Sequence, residues 1–399
     1  MKVFGDLHEQ SANADAVTFS VESLKGSKLP RVGIPLSDVV LSKFHIERIN
    51  ALSPDFISVV VRSLTDIERI PIALQFGLPL EIALFPVGLS AEEIALALKP
   101  YASHISQLMV LVEGKRSADG AFVESFLPSL RKHLPKTLIG SGTDAFFTEL
   151  NRNPTPAHSL DFLSFSVNPQ THASDLRTMT ENLVAHRDVV ESCRKLSGGR
   201  GVRVGPVTLK MRWNPDATSA EALPAGSIPA NVDSRQPSLY AAGWTLGSLK
   251  YLTEAGADMV TYYEMVGWRG LMSHPDQVWP GAFNVGDGQL YPVYVMLRLL
   301  LSQRGAAVLP LRSSEPLLMD GMAFRNDDET MMVVLANYTR ASLLVTMPTG
   351  FQASAIRIVG SDNIDNVLTH PNDAVPAGKF SSDRFEIPAF GFVIIEGGQ

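Results

Sequence analysis

A single cysteine, Cys193, stands in 399 residues, so no disulfide can close within the chain and no cluster of thiolates can hold a metal. That usage points to a reducing compartment. The nine histidines are scattered, with no HxH or HExxH, and no loop spells a calcium site; no bound metal is expected. Phosphate-cradling glycine loops of the forms GxGxxG and GxxxxGK[ST] are missing, which removes the main support for a nucleotide, and no cofactor is expected. A GxSxG elbow, the usual mark of a serine esterase, is missing too.

Charge is also sparse. The formal net charge of −7 is not gathered into blocks, which argues against nucleic acid or an anionic membrane surface as partner. The longest apolar runs, such as YPVYVMLRLLL (291–301), stop well short of the ~20 residues that span a bilayer. The start of the chain lacks the basic stretch and apolar run of a secretory signal, so the expectation is a soluble, cytoplasmic protein. Composition leaves the oligomeric state open.

What the sequence has in quantity is alternation. From residue 31 a short apolar or β-branched run, a turn and an amphipathic helical stretch recur, the signature of a parallel sheet built from βα units. The runs are 31–37, 56–62, 80–86, 106–114, 136–142, 162–169, 202–212 and 259–264. Ser90 and Glu93 form a capping box ahead of one intervening helix. Over 174–196, Leu176, Met179, Leu183, Val190, Cys193 and Leu196 fall on one stripe near the 3.6-residue period, which makes the cysteine a small buried hydrophobe. Eight such units predict an α/β fold, a (β/α)₈ TIM barrel; an open doubly wound sheet is the weaker alternative.

After a helix over about 291–304 the pattern changes to period-2 runs with turn residues between them, which predicts a C-terminal antiparallel β-sandwich domain. The expected organisation is an N-terminal lead over 1–29, whose run VTFSVESL could add one strand to the sandwich, a barrel over 30–305 and the sandwich over 306–399.

In such barrels, chemistry sits beyond the C-terminal ends of the strands. The polar residues there are Asp144, Glu149, Asn151, Asn168, His172, Lys210, Arg212, Tyr263, Glu264, Trp268 and their neighbours. Carboxylates, amides and aromatic rings together suit a polyhydroxylated ligand, so the expected partner is a small carbohydrate-derived substrate. Lys210 and Arg212 are expected to alternate with Met211 along the seventh strand and to point the same way. The segments SGTDAFFTELNRN (141–153), SFSVNPQTHASD (164–175), RVGPVTLKMRWNP (203–215) and TYYEMVGWRGLM (261–272) resemble those of bacterial D-apionate lactonases. The likeness runs through most of residues 30–395, although family members carry a further N-terminal region ahead of the barrel, which suggests a shorter relative with altered specificity. The resemblance implies a barrel hydrolase with accessory β-domains that opens a branched-sugar lactone.

For a lactonase the expected catalytic set is Glu264 as the base that activates water, Glu149 as a second carboxylate, and Lys210 or Arg212 beside the developing negative charge. Asp144, Asn151, Asn168, His172, Arg212, Tyr263 and Trp268 are expected to bind substrate. A glycoside hydrolase with two carboxylates is the alternative, weakened because the seventh run ends Lys-Met-Arg and places no acid where a retaining barrel glycosidase keeps its nucleophile. A noncatalytic carbohydrate-binding barrel is a third.

Overall fold

The computed structural model describes residues 16–22, 26–114, 116–170, 172–216, 227–277, 279, 288–371, 375–378 and 383–398. Residues 1–15 of the N-terminal lead, with Ser23 and Leu24 of its apolar run, lie outside them. After β1 (Val17–Val21) come eight strands: β2 (Arg31–Pro35), β3 (Phe56–Val61), β4 (Leu80–Leu84), β5 (Ile105–Val110), β6 (Leu138–Phe146), β7 (Phe162–Val167), β8 (Gly201–Val207) and β9 (Met259–Tyr262). All pair in parallel, and β2 returns to β9 through Arg31 opposite Met259, closing the barrel. Each of the eight expected runs overlaps one of these strands, and β6 continues to Phe146, past the expected end of its run at 142. The seventh is shorter than expected: β8 stops at Val207, and Thr208 donates its hydroxyl to the Lys210 carbonyl at 2.7 Å in a turn.

Helices α1 (Lys43–Leu52), α2 (Ile70–Leu74), α3 (Ala91–Leu98), α4 (Gly120–His133), α5 (Phe147–Arg152), α6 (Leu176–Glu181), α7 (Ala185–Ser197), α8 (Leu239–Glu254) and α9 (Pro292–Leu301) follow the strands. Helix α3 starts with the capping box: the Glu93 N–H donates to Ser90 Oγ at 3.3 Å and the Ser90 N–H to Glu93 Oε2 at 2.9 Å. The stretch 174–196 is two helices, broken between Glu181 and Ala185, yet Met179, Leu183, Val190 and Cys193 are all buried beneath it. Burial pushes the Cys193 thiol up to about 12, as an inert core residue requires. No described helix is long and apolar enough to cross a membrane.

Strand alternation sorts the barrel into an outer apolar shell and a mixed interior. Along β4, Leu80, Ile82 and Leu84 join the core under the helices, while Glu81 and Ala83 turn inward. One interior layer is polar. Glu81 accepts from Ser58 at 2.7 Å, Gln107 at 2.6 Å and the Arg203 guanidinium at 2.6 Å, and Arg203 also donates to Thr261 at 2.8 Å and to the Gly205 carbonyl. Full pairing is what permits a buried ion pair, since removing either partner leaves a desolvated charge. Packed against this layer is an apolar cluster of Ala83, Phe85, Met109, Leu111, Phe162 and Met259, with Phe162 and Met259 at the starts of β7 and β9 and Phe85 and Leu111 towards the mouth. Gly140 makes room for it: a Cβ there would come within 2.3 Å of the Phe162 ring.

The remaining strands are β10 (Ala307–Leu309), β11 (Leu311–Ser313), β12 (Met319–Arg325), β13 (Met331–Asn337), β14 (Leu343–Thr346), β15 (Gln352–Val359), β16 (Arg384–Ile387) and β17 (Phe392–Gly398), with helix α10 (Ile364–Thr369) after β15. They form two sheets, β11-β1-β14-β16 and β10-β12-β13-β17-β15, around a core that includes Phe19, Val333, Val345, Phe385 and Ile395. β1 enters the first sheet, antiparallel to β11 and parallel to β14; that second pairing departs from the purely antiparallel sandwich expected from the pattern. The sandwich is joined to the barrel by buried polar contacts. Lys250 on α8 donates to Asp320 on β12 and to the Leu311 carbonyl, and the Tyr251 hydroxyl donates to Asp320 at 2.8 Å.

Candidate active site

The inward parity of the strands carries on past the apolar cluster and decides what reaches the mouth. Ser58, Val60 and Arg62 follow one another every second residue, as do Gln107, Met109, Leu111 and Glu113, and Met259, Thr261 and Tyr263. Arg62, Glu113 and Tyr263 therefore emerge at the C-terminal end, where they meet Asp38, Asp144, Pro206, Arg212, Trp213, Asn231, Glu264 and Arg269 around a cleft of about 390 Å³.

The geometry at Glu264 is built by a strained turn. Tyr263 has φ 53°, a left-handed conformation unusual for a bulky residue, and its N–H still donates to the Val207 carbonyl at 3.0 Å. The chain thus reverses directly after β9. Glu264 donates its N–H to the Arg269 carbonyl at 3.0 Å, and the Arg269 Nε and Nη2 both approach Glu264 Oε1 at 2.8 Å. Gly267, at φ 98°, lies against Gln277, whose Oε1 accepts the Trp268 N–H at 2.8 Å; a Cβ on Gly267 would stand 2.1 Å from that oxygen.

The other charged residues of the cleft are paired in the same manner. Arg62 donates to Glu113 at 2.9 Å while lying over the Phe85 ring at 4.9 Å, and Arg212 donates to Asp144. Asp38 is held at 2.6 Å by Arg69. The loop that brings Asn231 over the cleft is fixed by Asp233, which accepts from Gln170 and Arg235. Burial works to raise the Asp233 carboxyl, but the Arg235 guanidinium and N–H overcome it and hold it below its ordinary value.

Of the residues expected to serve the site, Asp144, Arg212, Tyr263 and Glu264 meet in this cleft. Asn168 and His172 line a different groove of about 710 Å³, between α5, α6, α7 and the loop after β8, whose floor includes Phe146, Phe147 and Met211. Residues 144–147 and 211–214 form the wall between the two, Asp144 and Arg212 facing one side, Phe146 and Met211 the other. Lys210 is half-buried and lines neither. The expectation that Lys210 and Arg212 share one strand face is corrected here, because β8 has already ended and the turn at Thr208 cancels the two-residue parity.

Glu149 also lines neither space. Its carboxylate is fully buried between Arg116 at 3.2 Å and Arg152 at 2.8 Å, in the first turn of α5. Asn151 is exposed on the same helix, and Trp268 stands in the 264–270 loop outside the cleft lining. Residues absent from the expected set are Asp38, Arg62, Glu113, Trp213, Asn231 and Arg269. The parity of β3 and β5, carried two residues past Val60 and Leu111, is the signal that identifies Arg62 and Glu113.

Residues 62–305 match the protein family described as D-apionate lactonase, TIM barrel domain. This chain belongs to that family. A D-apionate lactonase of Brucella anthropi is 29% identical over 196 residues, a match that takes in 49% of this chain and 31% of that protein. The chain therefore aligns with about a third of its relative. Among solved structures, an arabinofuranosidase of glycoside hydrolase family 51 from Xanthomonas axonopodis pv. citri superposes with a TM-score of 0.66 at 13% identity, over 96% of this chain and 99% of that one. A family 30 endoxylanase from Clostridium papyrosolvens gives 0.58 at 11% identity, over 96% and 100%. At such identities the likeness speaks for the barrel-and-sandwich fold alone.

Proposed function

We propose that this family member is a carbohydrate hydrolase that opens a sugar lactone of the D-apionolactone type to its aldonate at the mouth cleft. Glu264 is the general base. The observation that carries the reading is Glu264 at the cleft wall, oriented through a single oxygen by Arg269 with the Arg212 guanidinium lining the same space. Water adds to the lactone carbonyl carbon as its proton passes to Glu264, and a guanidinium of the cleft, Arg212 in this reading, faces the oxygen that becomes negative. Collapse breaks the ring C–O bond, the departing oxygen takes up the proton, and the product is the open aldonate with one new hydroxyl. Trp213 offers a face for the ring, and Asp38 and Asn231 can bond its hydroxyls. Glu149, Lys210, Asn151 and Trp268 take no part in this proposal, and Asn168 and His172 belong to the neighbouring groove.

The test is hydrolysis of a panel of aldonolactones, followed by acid release, beside a panel of aryl glycosides. Glu264→Gln keeps the shape of the side chain but cannot take a proton, and should lower lactone turnover by ~10²–10⁴. Turnover of aryl glycosides with no action on lactones, or a Glu264→Gln protein that opens lactones at full rate, would refute the reading.

A further inference from the structure

The cleft holds several cations, yet among the described residues each of its guanidiniums already has its charge matched by a carboxylate, Arg212 through Nη2 alone. Arg62 is engaged by Glu113, Arg212 by Asp144 and Arg269 by Glu264, and the three acids line the same cleft as their partners. The fourth acid, Asp38, is met by Arg69. An anion entering the cleft must therefore compete for each cation with a carboxylate that is tethered in place, whose effective concentration is on the order of millimolar or higher. The Asp144–Arg212 pair is the most enclosed of the three lining pairs, with side chains 14% and 23% exposed.

We infer that Asp144 is a specificity-determining residue that masks Arg212 against anions, so that the cleft admits an uncharged lactone and expels the carboxylate that hydrolysis creates. This rests on the proposed reaction for its meaning, because lactone opening turns a neutral ring into an anion and one proton. At the moment of opening the new carboxylate stands among Asp38, Glu113, Asp144 and Glu264, each already matched by a cation. It meets no unmatched cation there, so nothing in the cleft offsets the cost of taking it out of water. A free arginine in the same place would clasp the product through two parallel hydrogen bonds and slow its release.

Direct binding of sodium gluconate and of inorganic phosphate, measured by titration calorimetry at low ionic strength, tests this without reference to turnover. The wild-type protein should show no heat of binding. Asp144→Asn, which keeps the side-chain size and removes the charge, should bind gluconate at least about tenfold more tightly, as a freed charge-assisted contact predicts. Adding Arg212→Gln to Asp144→Asn should abolish the gain. Circular dichroism and thermal melting establish that the variants are folded. Tight binding of either anion by the wild type overturns the inference, as does a folded Asp144→Asn with no gain, or a gain that survives loss of Arg212. If the gain appears and no lactone is opened by the wild type, the charge masking stands and the proposed reaction falls.

Discussion

Tyr263 donates its hydroxyl proton to Thr245 Oγ at 2.7 Å, because Thr245 has already committed its own proton to the Ala241 carbonyl. This bond ties the strained residue before Glu264 to the middle of α8, and burial holds the phenol far above its ordinary range. Tyr263→Phe should lower stability by about 1 kcal/mol, the typical net worth of one buried hydrogen bond. It should also reduce turnover modestly while leaving its pH dependence unchanged. A melt of Tyr263→Phe equal to that of the wild type would show that packing alone holds the turn.

Glu149 and Glu264 should part company under the same substitution. Glu149→Gln leaves Arg116 and Arg152 short of a buried counter-charge, so denaturant unfolding should report a loss of about 1–3 kcal/mol. Its turnover should stay within about tenfold of the wild type, far from the loss expected on removing a general base. A stable Glu149→Gln protein with turnover down a thousandfold would make Glu149 a member of the reacting site.

The junction of barrel and sandwich depends on a buried ion pair. Lys250→Met leaves Asp320 desolvated beside Tyr251, and should cost about 3–5 kcal/mol. Replacing both partners, as Lys250→Met with Asp320→Leu, should restore much of that loss, since no charge is then stranded. Equal instability of the single and double variants would place the cost in shape and not in charge.

His186 supplies a dependence on pH. Burial pushes its imidazole down to about 4, against a weak upward pull from the nearby Ser248 carbonyl, and neither ring nitrogen has a hydrogen-bond partner. The unfolded chain therefore binds a proton between about pH 6.5 and 4 that the folded chain does not. Stability is fully present above pH 6.5 and falls through that window by about 3 kcal/mol from this group. His186→Leu should flatten that part of the stability curve. Chemical denaturation at a series of pH values checks it, and an unchanged slope from 6.5 to 4 would remove His186 as the cause.

Local pattern was enough to determine the eight βα units, the capping box at Ser90, the burial of Cys193 and the switch to period-2 strands after α9. Each of these is written in hydrophobic spacing over a few neighbouring residues, and that spacing acts wherever the chain lies. It also carried Asp144, Tyr263 and Glu264 to the barrel mouth, Asp144 near the end of β6 and the other two just past the end of β9. Tertiary structure alone decided which mouth residues face one another. Beyond the end of β8 the two-residue parity no longer holds, so the turn at Thr208 could leave Lys210 aside and carry Arg212 to Asp144 across 68 positions of sequence. The same is true of Glu149, whose two arginine partners come from its own helix and from the loop after β5. The break between α6 and α7, and the parallel pairing of β1 with β14, also depend on what those segments pack against. A charge paired at long range is chosen by desolvation, which exists only once the chain has closed around it.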